Sequence, residues 1–474
     1  MKNKWLICMT CLLLVSVMLF GSCKKPEETP TNDQQQQNSS SLQNLVPTVD
    51  MDREFVVLSD LGEMITYHDY TGDPIVDEEV KRTLYIEERF NVTMKTDWVQ
   101  TVGQGVITLQ QSEMAGGGDY DLMYPHPNEG VELLLTGQLL TDMGELQYLN
   151  LDREWYNQSQ VKNYEANGKL YLVTSDISLP GQGLGSMICN LDLYRSMGFE
   201  EDLYAIFEAG EWTIDKLIRF VKESNTYSEG SANRTYGLSY QANSTTGMMF
   251  AMGQKVLQKN DDGLFEIALG GDNTERLVTM ADKLSELLYE TDGNVIMGET
   301  NVAGFPTSQH WLTFTGGRAL FNNMDIGILY HNLRNLSFEI CYLPLPKLYA
   351  SDSHTASCGG GFFAIPKQAK NLEESSIIFE SMSIYSYEHI RPTFFNTILQ
   401  GRLSKNEKDY AMLEYIHSIK TFDFGFTLDM VNKIAQNALY KLVIDTNGEP
   451  NVTGYLRGQS GYFADLVEKA NSIQ

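Results

Sequence analysis

From Glu54 to Tyr124 the pattern of apolar residues changes its period again and again. Glu54 to Ser59 (EFVVLS) is rich in β-forming residues. Val80, Leu84 and Phe90 then recur at near-helical spacing across 76–90. Val92, Met94, Thr96 and Trp98 alternate with Thr93, Lys95 and Asp97, the period of a strand with one buried face. A second helical stretch, 106–115, stops at Gly116-Gly117-Gly118, and Tyr120 to Tyr124 (YDLMY) makes a third short strand. Strands that alternate with helices are joined by crossovers rather than hairpins. The product is a largely parallel sheet with helices on its faces, an α/β fold.

Later segments keep this mixed character. Gly168 to Val173 (GKLYLV), Ser186 to Asn190 (SMICN) and Tyr236 to Tyr240 read as strands. Thr213 is placed to cap a helix that carries Ile214, Leu217, Ile218 and Val221 on one face. Asp262-Gly263 between apolar runs signals a hairpin. Leu277, Met280, Ala281, Leu284, Leu287 and Leu288 mark a strongly amphipathic helix. Trp98, Trp155 and Trp212 are expected in the core. Glycine- and proline-rich breaks at 179–185 and 344–361 are the candidate places for the chain to cross between lobes.

The N-terminus reads as an export signal. Lys2 and Lys4 precede an apolar run from Ile7 to Phe20, and small residues Gly21 and Ser22 lead to Cys23. The run is shorter than the roughly 20 residues a spanning helix needs. Phe20-Gly21-Ser22-Cys23 resembles the lipobox of bacterial lipoproteins, which implies removal of residues 1–22 and lipidation of Cys23. Residues 23–49 contain Pro26, Pro30, Gln34 to Gln37 and Ser39 to Ser41, with almost no large apolar side chains before Leu42. Such a stretch cannot offset its ordering entropy by burial, so it is expected to be a flexible tether.

The formal net charge is −27, and loss of Lys2 and Lys4 would make it −29. A surface this acidic repels phosphate backbones, so nucleic acid is excluded as a partner. Of six cysteines, Cys8 and Cys11 leave with the signal and Cys23 carries lipid, which leaves Cys189, Cys341 and Cys358. Three cysteines make no disulfide framework. A Cys341–Cys358 bridge stays open beside the default of buried thiols.

Several local patterns occur in an order that resembles the extracellular solute-binding proteins (family 1) of ABC importers, the group that includes maltose- and oligosaccharide-binding lipoproteins. Tyr120-Asp121-Leu122-Met123 precedes Gly137-Gln138-Leu139-Leu140. Gly168-Lys169-Leu170-Tyr171 precedes the strand ending Cys189-Asn190. Then come Glu211-Trp212-Thr213, Phe314-x-x-Gly317-Arg318-Ala319-Leu320, Leu343-Pro344-Leu345-Pro346 and Gly361-Phe362-Phe363-Ala364-Ile365-Pro366-Lys367. The resemblance implies a helix over 314–321; Cys189 replaces the usual aromatic residue before Asn190, and Arg318 replaces a lysine.

The resemblance implies a two-lobed, type II periplasmic-binding-protein-like fold with a hinge and a ligand cleft between lobes. Lobe 1 is expected at 50–180 with 355–392 and lobe 2 at 181–354 with 393–474. It implies a monomeric, lipid-anchored protein on the outer side of the cell membrane. There it would bind a small solute, a sugar or oligosaccharide, and pass it to the transmembrane subunits of an ABC permease without altering it. A lipid-anchored glycoside hydrolase, or a binding protein that feeds a sensor, are the alternatives.

Open α/β lobes bind ligands beyond the carboxyl ends of their strands. That rule selects Tyr124, Asn128 and Glu129 after the third strand, Asp176 and Gln182 near the first crossing, and Tyr240, Asn243 and Asp325 in the second lobe. Gly360, in a glycine run, would let backbone amides approach a ligand. Aromatic rings stack on sugar faces while amides and carboxylates pair with hydroxyls.

Enzyme signatures are missing. No P-loop or G-x-S-x-G elbow occurs. The histidines at 68, 126, 310, 331, 354, 389 and 417 form no H-x-x-x-H, so neither a zinc site nor any cofactor is expected.

Overall fold

A computed structural model describes residues 42–62, 65–101, 103–126, 130–178, 184–224, 234–298, 309–326, 336–357, 361–396, 407–430 and 432–473. Cys23, Asn128, Glu129, Gln182, Cys358 and Gly360 lie outside the described residues.

The first sheet grows from the alternating segment. Strand β1 (Arg53–Ser59) sits between β2 (Val92–Trp98) and β3 (Leu122–Tyr124), and all three are parallel. Helix α1 (Pro74–Phe90) connects β1 to β2. It starts because the Asp73 side chain accepts the Ile75 N–H and Pro74 fits the first turn; it stops at Asn91, which is left-handed with φ 51°. Helix α2 (Gln104–Ala115) connects β2 to β3 and ends at left-handed Gly116. On β2, Val92 and Met94 are buried, but Trp98 is 45% exposed. The expectation that Trp98 is a core residue fails because β2 is an edge strand and Trp98 is its last residue.

The second sheet has the order β10-β4-β9-β5-β8. Its strands are β4 (Gly185–Asn190), β5 (Tyr236–Gln241), β8 (Val295–Gly298), β9 (Ala319–Asp325) and β10 (Ile340–Pro344). Strands β5, β8 and β9 are parallel; β4 and β10 run antiparallel to their neighbours. Helix α3 (Ile214–Glu223) begins where the Thr213 hydroxyl accepts the Lys216 N–H, the cap read from the sequence. The Asp262-Gly263 turn joins β6 (Leu257–Lys259) to β7 (Phe265–Ile267) as an antiparallel hairpin. Helix α4 (Thr274–Tyr289) buries the full expected set from Leu277 to Leu288.

Two expected elements are different. The segment 314–321 is not a helix. Helix α5 (Gln309–Thr315) ends at Gly316-Gly317, with Gly317 at φ 73°, and β9 follows at Ala319. Gly168 to Val173 forms only isolated bridges rather than a strand. Its backbone groups find other partners: the Gln160 amide donates to Leu172 O and accepts the Thr174 N–H, and Leu170 O accepts the Met143 N–H.

The chain returns to the first sheet after β10. Val173 bridges Phe363, Met123 bridges Ala364 and Leu140 bridges Pro366, all antiparallel. Helix α6 (Leu372–Tyr385) then packs on α1. At the start of the body, Gln43 to Val46 also joins this side. The Gln43 amide donates to Ser381 O, Ser381 Oγ donates to Gln43 Oε1, and Arg89 donates to the carbonyls of Gln43 and Val46. These bonds fix residues expected to belong to the flexible tether.

Cys189 and Cys341 face each other across the β4–β10 ladder as buried free thiols. No helix of the described residues is long and apolar enough to cross a membrane.

Candidate ligand-binding site

The carboxyl ends of the parallel strands collect polar residues, as strand direction requires. At the end of β1, Asp60 is buried; its Oδ1 accepts the Gly105 N–H at 2.8 Å and its Oδ2 accepts the His126 N–H at 3.4 Å. A Cβ on residue 105 would lie 2.7 Å from Asp60 Oδ1, so any side chain there would displace the carboxylate. Asp60 was not among the expected residues; its signal is an acid directly after an apolar strand.

Tyr124 ends β3 beside Asp60, but its ring is fully buried. It stacks on Phe363 with centroids 4.6 Å apart, and a Cβ at Gly361 would sit 2.3 Å from it. Tyr124 is therefore a core residue and not the ligand contact expected. In the second sheet the same correction applies to Tyr240, which is fully buried with its hydroxyl 3.0 Å from Thr245 Oγ1. Strand alternation turns this ring inward. Asn243 is exposed just beyond β5, and Asp325 is half-buried at the end of β9, opposite Gly185. Both stand at or just beyond the carboxyl ends of their strands.

Asp176 is the expected residue around which a cavity closes. About 230 Å³ of space is lined by the 154–159 and 174–178 segments together with Arg391, His417, Ser418 and Lys420. The Asp176 N–H donates to Trp155 O, which ties the two segments, and its carboxylate lies 3.4 Å from the Arg391 guanidinium. Burial pushes the Asp176 carboxyl up to about 6; Arg391 and Lys420 oppose the shift. Arg391 is held over the Tyr387 ring at 5.5 Å, and Tyr387 donates its hydroxyl to Glu154. His417 comes from the end of helix α7 (Glu407–Ser418). Burial, helped by Lys420 and Arg391, lowers its imidazole well below the usual range, so it is neutral at pH 7.

Arg391, Thr174 and His417 were not expected. Nothing in a single sequence distinguishes them, because they meet only when the ends of α6 and α7 close on the segment after Val173.

Two larger depressions are placed differently. One of about 980 Å³ is lined by Leu191, Tyr194, Tyr204 and Cys341, at the far end of the sheet from Asp325 and Gly185. The other, about 810 Å³ and largely apolar, lies between the β7 hairpin and the C-terminal helices around Leu456 and Phe463. Among the described residues no group of three His, Cys, Asp or Glu side chains is arranged to hold a metal ion.

Sharing the lining of this cavity between distant segments sets a pH dependence. Asp176 has a folded pKa above its unfolded value, so the stability it contributes is full below about pH 4 and is lost as pH rises through 6. The Asp176→Asn variant lacks that loss. Relative to the variant, the parent should lose about 2 kcal/mol between pH 4.5 and pH 7.5, measured by urea unfolding at both values. Parallel curves for the two proteins would remove the desolvated carboxyl from the account.

Two α/β lobes, each built on its own sheet, with polar residues gathered at the strand ends, make the fold of the family 1 extracellular solute-binding proteins. Among solved structures, an ABC substrate-binding protein from Listeria monocytogenes in complex with cycloalternan matches 88% of this chain and 100% of its own at a TM-score of 0.56 and 13% identity. The galacto-N-biose-/lacto-N-biose I-binding protein of the ABC transporter from Bifidobacterium longum, in complex with lacto-N-biose, matches 90% of this chain and 98% of its own at 0.57 and 14% identity. UgpB from Mycobacterium tuberculosis, in complex with glycerophosphocholine, matches 88% and 98% at 0.55 and 15% identity. No family model matches the sequence, and no curated protein matches it.

Proposed function

We propose that this chain is the solute-binding component of an ABC importer. It takes up a neutral sugar or oligosaccharide between its lobes and releases it unaltered to the permease. The observation that carries this reading is the two-lobed fold, with Asn243 and Asp325 at or beyond the carboxyl ends of β5 and β9 and Asp176 lining a cavity. Solved proteins of this fold with bound oligosaccharide support the ligand class. In this reading lobe 1 is 50–180 with 355–392 and lobe 2 is 181–354 with 393–474, the protein is monomeric, and a lipid on Cys23 holds it to the outer side of the membrane.

Ligand stabilises the closed form because only there do both lobes touch it. The test is thermal unfolding of the purified protein with a panel of neutral mono- and oligosaccharides. At least one should raise the melting temperature, as binding to the native state alone requires. The sugar should also be recovered intact. Time-dependent cleavage would turn the reading to a glycoside hydrolase, and stabilisation by peptides or metal ions alone would end the sugar assignment.

A further inference from the structure

Cys189 and Cys341 stand directly opposite each other in the antiparallel β4–β10 ladder. One step beyond the printed strands in the same register, the Leu191 N–H donates to Glu339 O at 2.8 Å. Bonded and non-bonded pairs alternate along such a ladder, so 189–341, like 191–339, is a bonded pair, with Cα atoms about 5.5 Å apart. The Tyr342 N–H, next in line, turns outward and donates to the Tyr204 hydroxyl, as the alternation requires. A spacing of about 5.5 Å lies within the roughly 4.4–6.8 Å that a disulfide spans. Opposed residues also point to the same face of the sheet, so the two thiols lie side by side. Both are buried. Burial pushes the Cys189 thiol well up, and the neighbouring Cys341 adds to the shift.

We propose that Cys189 and Cys341 form a disulfide across β4 and β10 when the protein folds in an oxidising compartment. Its formation in the cell rests on the reading above, which places the protein outside the membrane, where disulfides form and persist. Thiols that are buried and protonated do not react, so oxidation comes while the second lobe folds, before packing closes over them. One cysteine thiolate attacks a sulfur of an oxidising disulfide, supplied by a thiol–disulfide oxidoreductase or a small-molecule disulfide. The second thiolate then attacks the mixed disulfide. One S–S bond forms in the protein as one breaks in the oxidant, which takes two electrons and leaves as two thiols carrying the two protons.

The sheet can accept the bond. Opposed Cβ atoms lie about 4.5–5.5 Å apart, and a disulfide draws them to about 3.8 Å. Strand β10 is the edge of its sheet and pairs with β4, so it can make that shift without breaking a second ladder. The bond would join the strand by which the chain enters this sheet to the strand after which it returns to the first. It would close α3, α4, β5, β8 and β9 into one long loop. Long loops restrict the unfolded chain most.

Peptide mapping of the full chain, extracted from membranes and alkylated without reductant, tests the proposal. The expected product is a linked peptide that joins Cys189 to Cys341 and disappears on reduction. Cys358→Ser should keep the link. Protein reduced in urea and refolded in a glutathione redox buffer should form it too, and should melt about 5 °C above the same protein refolded in reductant. Dithiothreitol should open the bridge in urea but not in the folded protein. Protease digestion of intact cells reports separately where the protein lies. Free thiols at both positions in protease-accessible protein, or a Cys341–Cys358 link, would overturn the bridge. Protein shielded from protease would overturn the placement outside the cell instead. Refolding then decides alone: a Cys189–Cys341 link supports the bridge, and two free thiols in the refolded protein end it.

Discussion

Trp212→Ala is expected to lower stability by about 5 kcal/mol, enough to bring a protein of ordinary stability close to unfolding. Trp212 is wholly buried, its Nε1–H donates to Pro344 O at 2.8 Å, and its ring lies 6.0 Å from Phe321. Truncation would open a cavity in the second lobe, at a cost of about 3–5 kcal/mol for a large aromatic residue. It would also leave the Pro344 carbonyl without its indole donor, at about 1–3 kcal/mol. The loss would be felt where three elements meet, because the next residues cap α3 and join the chain after β10: Thr213 bridges Lys347, and the Ile214 N–H donates to Lys347 O. Trp212→Phe keeps most of the apolar volume and should cost about 1–2 kcal/mol. Urea unfolding of the two variants beside the parent measures both. A loss below about 2 kcal/mol for the alanine variant would mean that the lobe collapses around the gap.

Cys23→Ala is expected to move the protein from the membrane fraction to the soluble fraction almost completely. The argument is one of partition. A buried methylene contributes roughly 0.8 kcal/mol, and a single acyl chain gives only marginal attachment, whereas two chains hold firmly. The diacylglyceryl group that a lipobox cysteine receives supplies two. An acidic body, at −27 for the full chain, gives no electrostatic attraction to anionic lipid that could stand in for them. Fractionation of cells that express parent and variant, followed by immunoblot, reads the result. Equal membrane retention of the two would exclude Cys23 as the anchor.

The sequence is most legible where one period runs without interruption. Val92 to Trp98 and Leu277 to Leu288 are visible because each buried face repeats at the spacing of a single element. Thr213 is visible because capping is local chemistry. The misreadings share a cause in longer-range structure. Gly168 to Val173 has the composition of a strand, yet Gln160 takes its backbone hydrogen bonds. Phe314 to Phe321 mixes two elements that only Gly316-Gly317 separates. Tyr124 and Tyr240 stand at strand ends as the ligand rule asks, but the rule fixes the end of the strand and not the face. Asp176 was within reach because it lies just before the glycine- and proline-rich break at 179–185. Its companions Arg391 and His417 were not, since they are more than two hundred residues away in the chain.

Helix α6 does not close as a regular helix. Residues Ser386–Ile390 form a π turn, and the Arg391 N–H donates to Ser386 O, five residues back. A regular helix would send that bond to Tyr387, four residues back. One residue more than a regular turn requires has been wound in at this point, and each residue advances the helix by about 100° around its axis. The cation beside Asp176 therefore owes its direction to chain length as much as to residue type. Deleting one residue from this turn would let the coil regularise, keep every side chain chemically as it was, and swing the arginine away from the carboxylate. The geometry around Asp176 can thus shift by the gain or loss of a single codon, without any change among the residues that line the cavity.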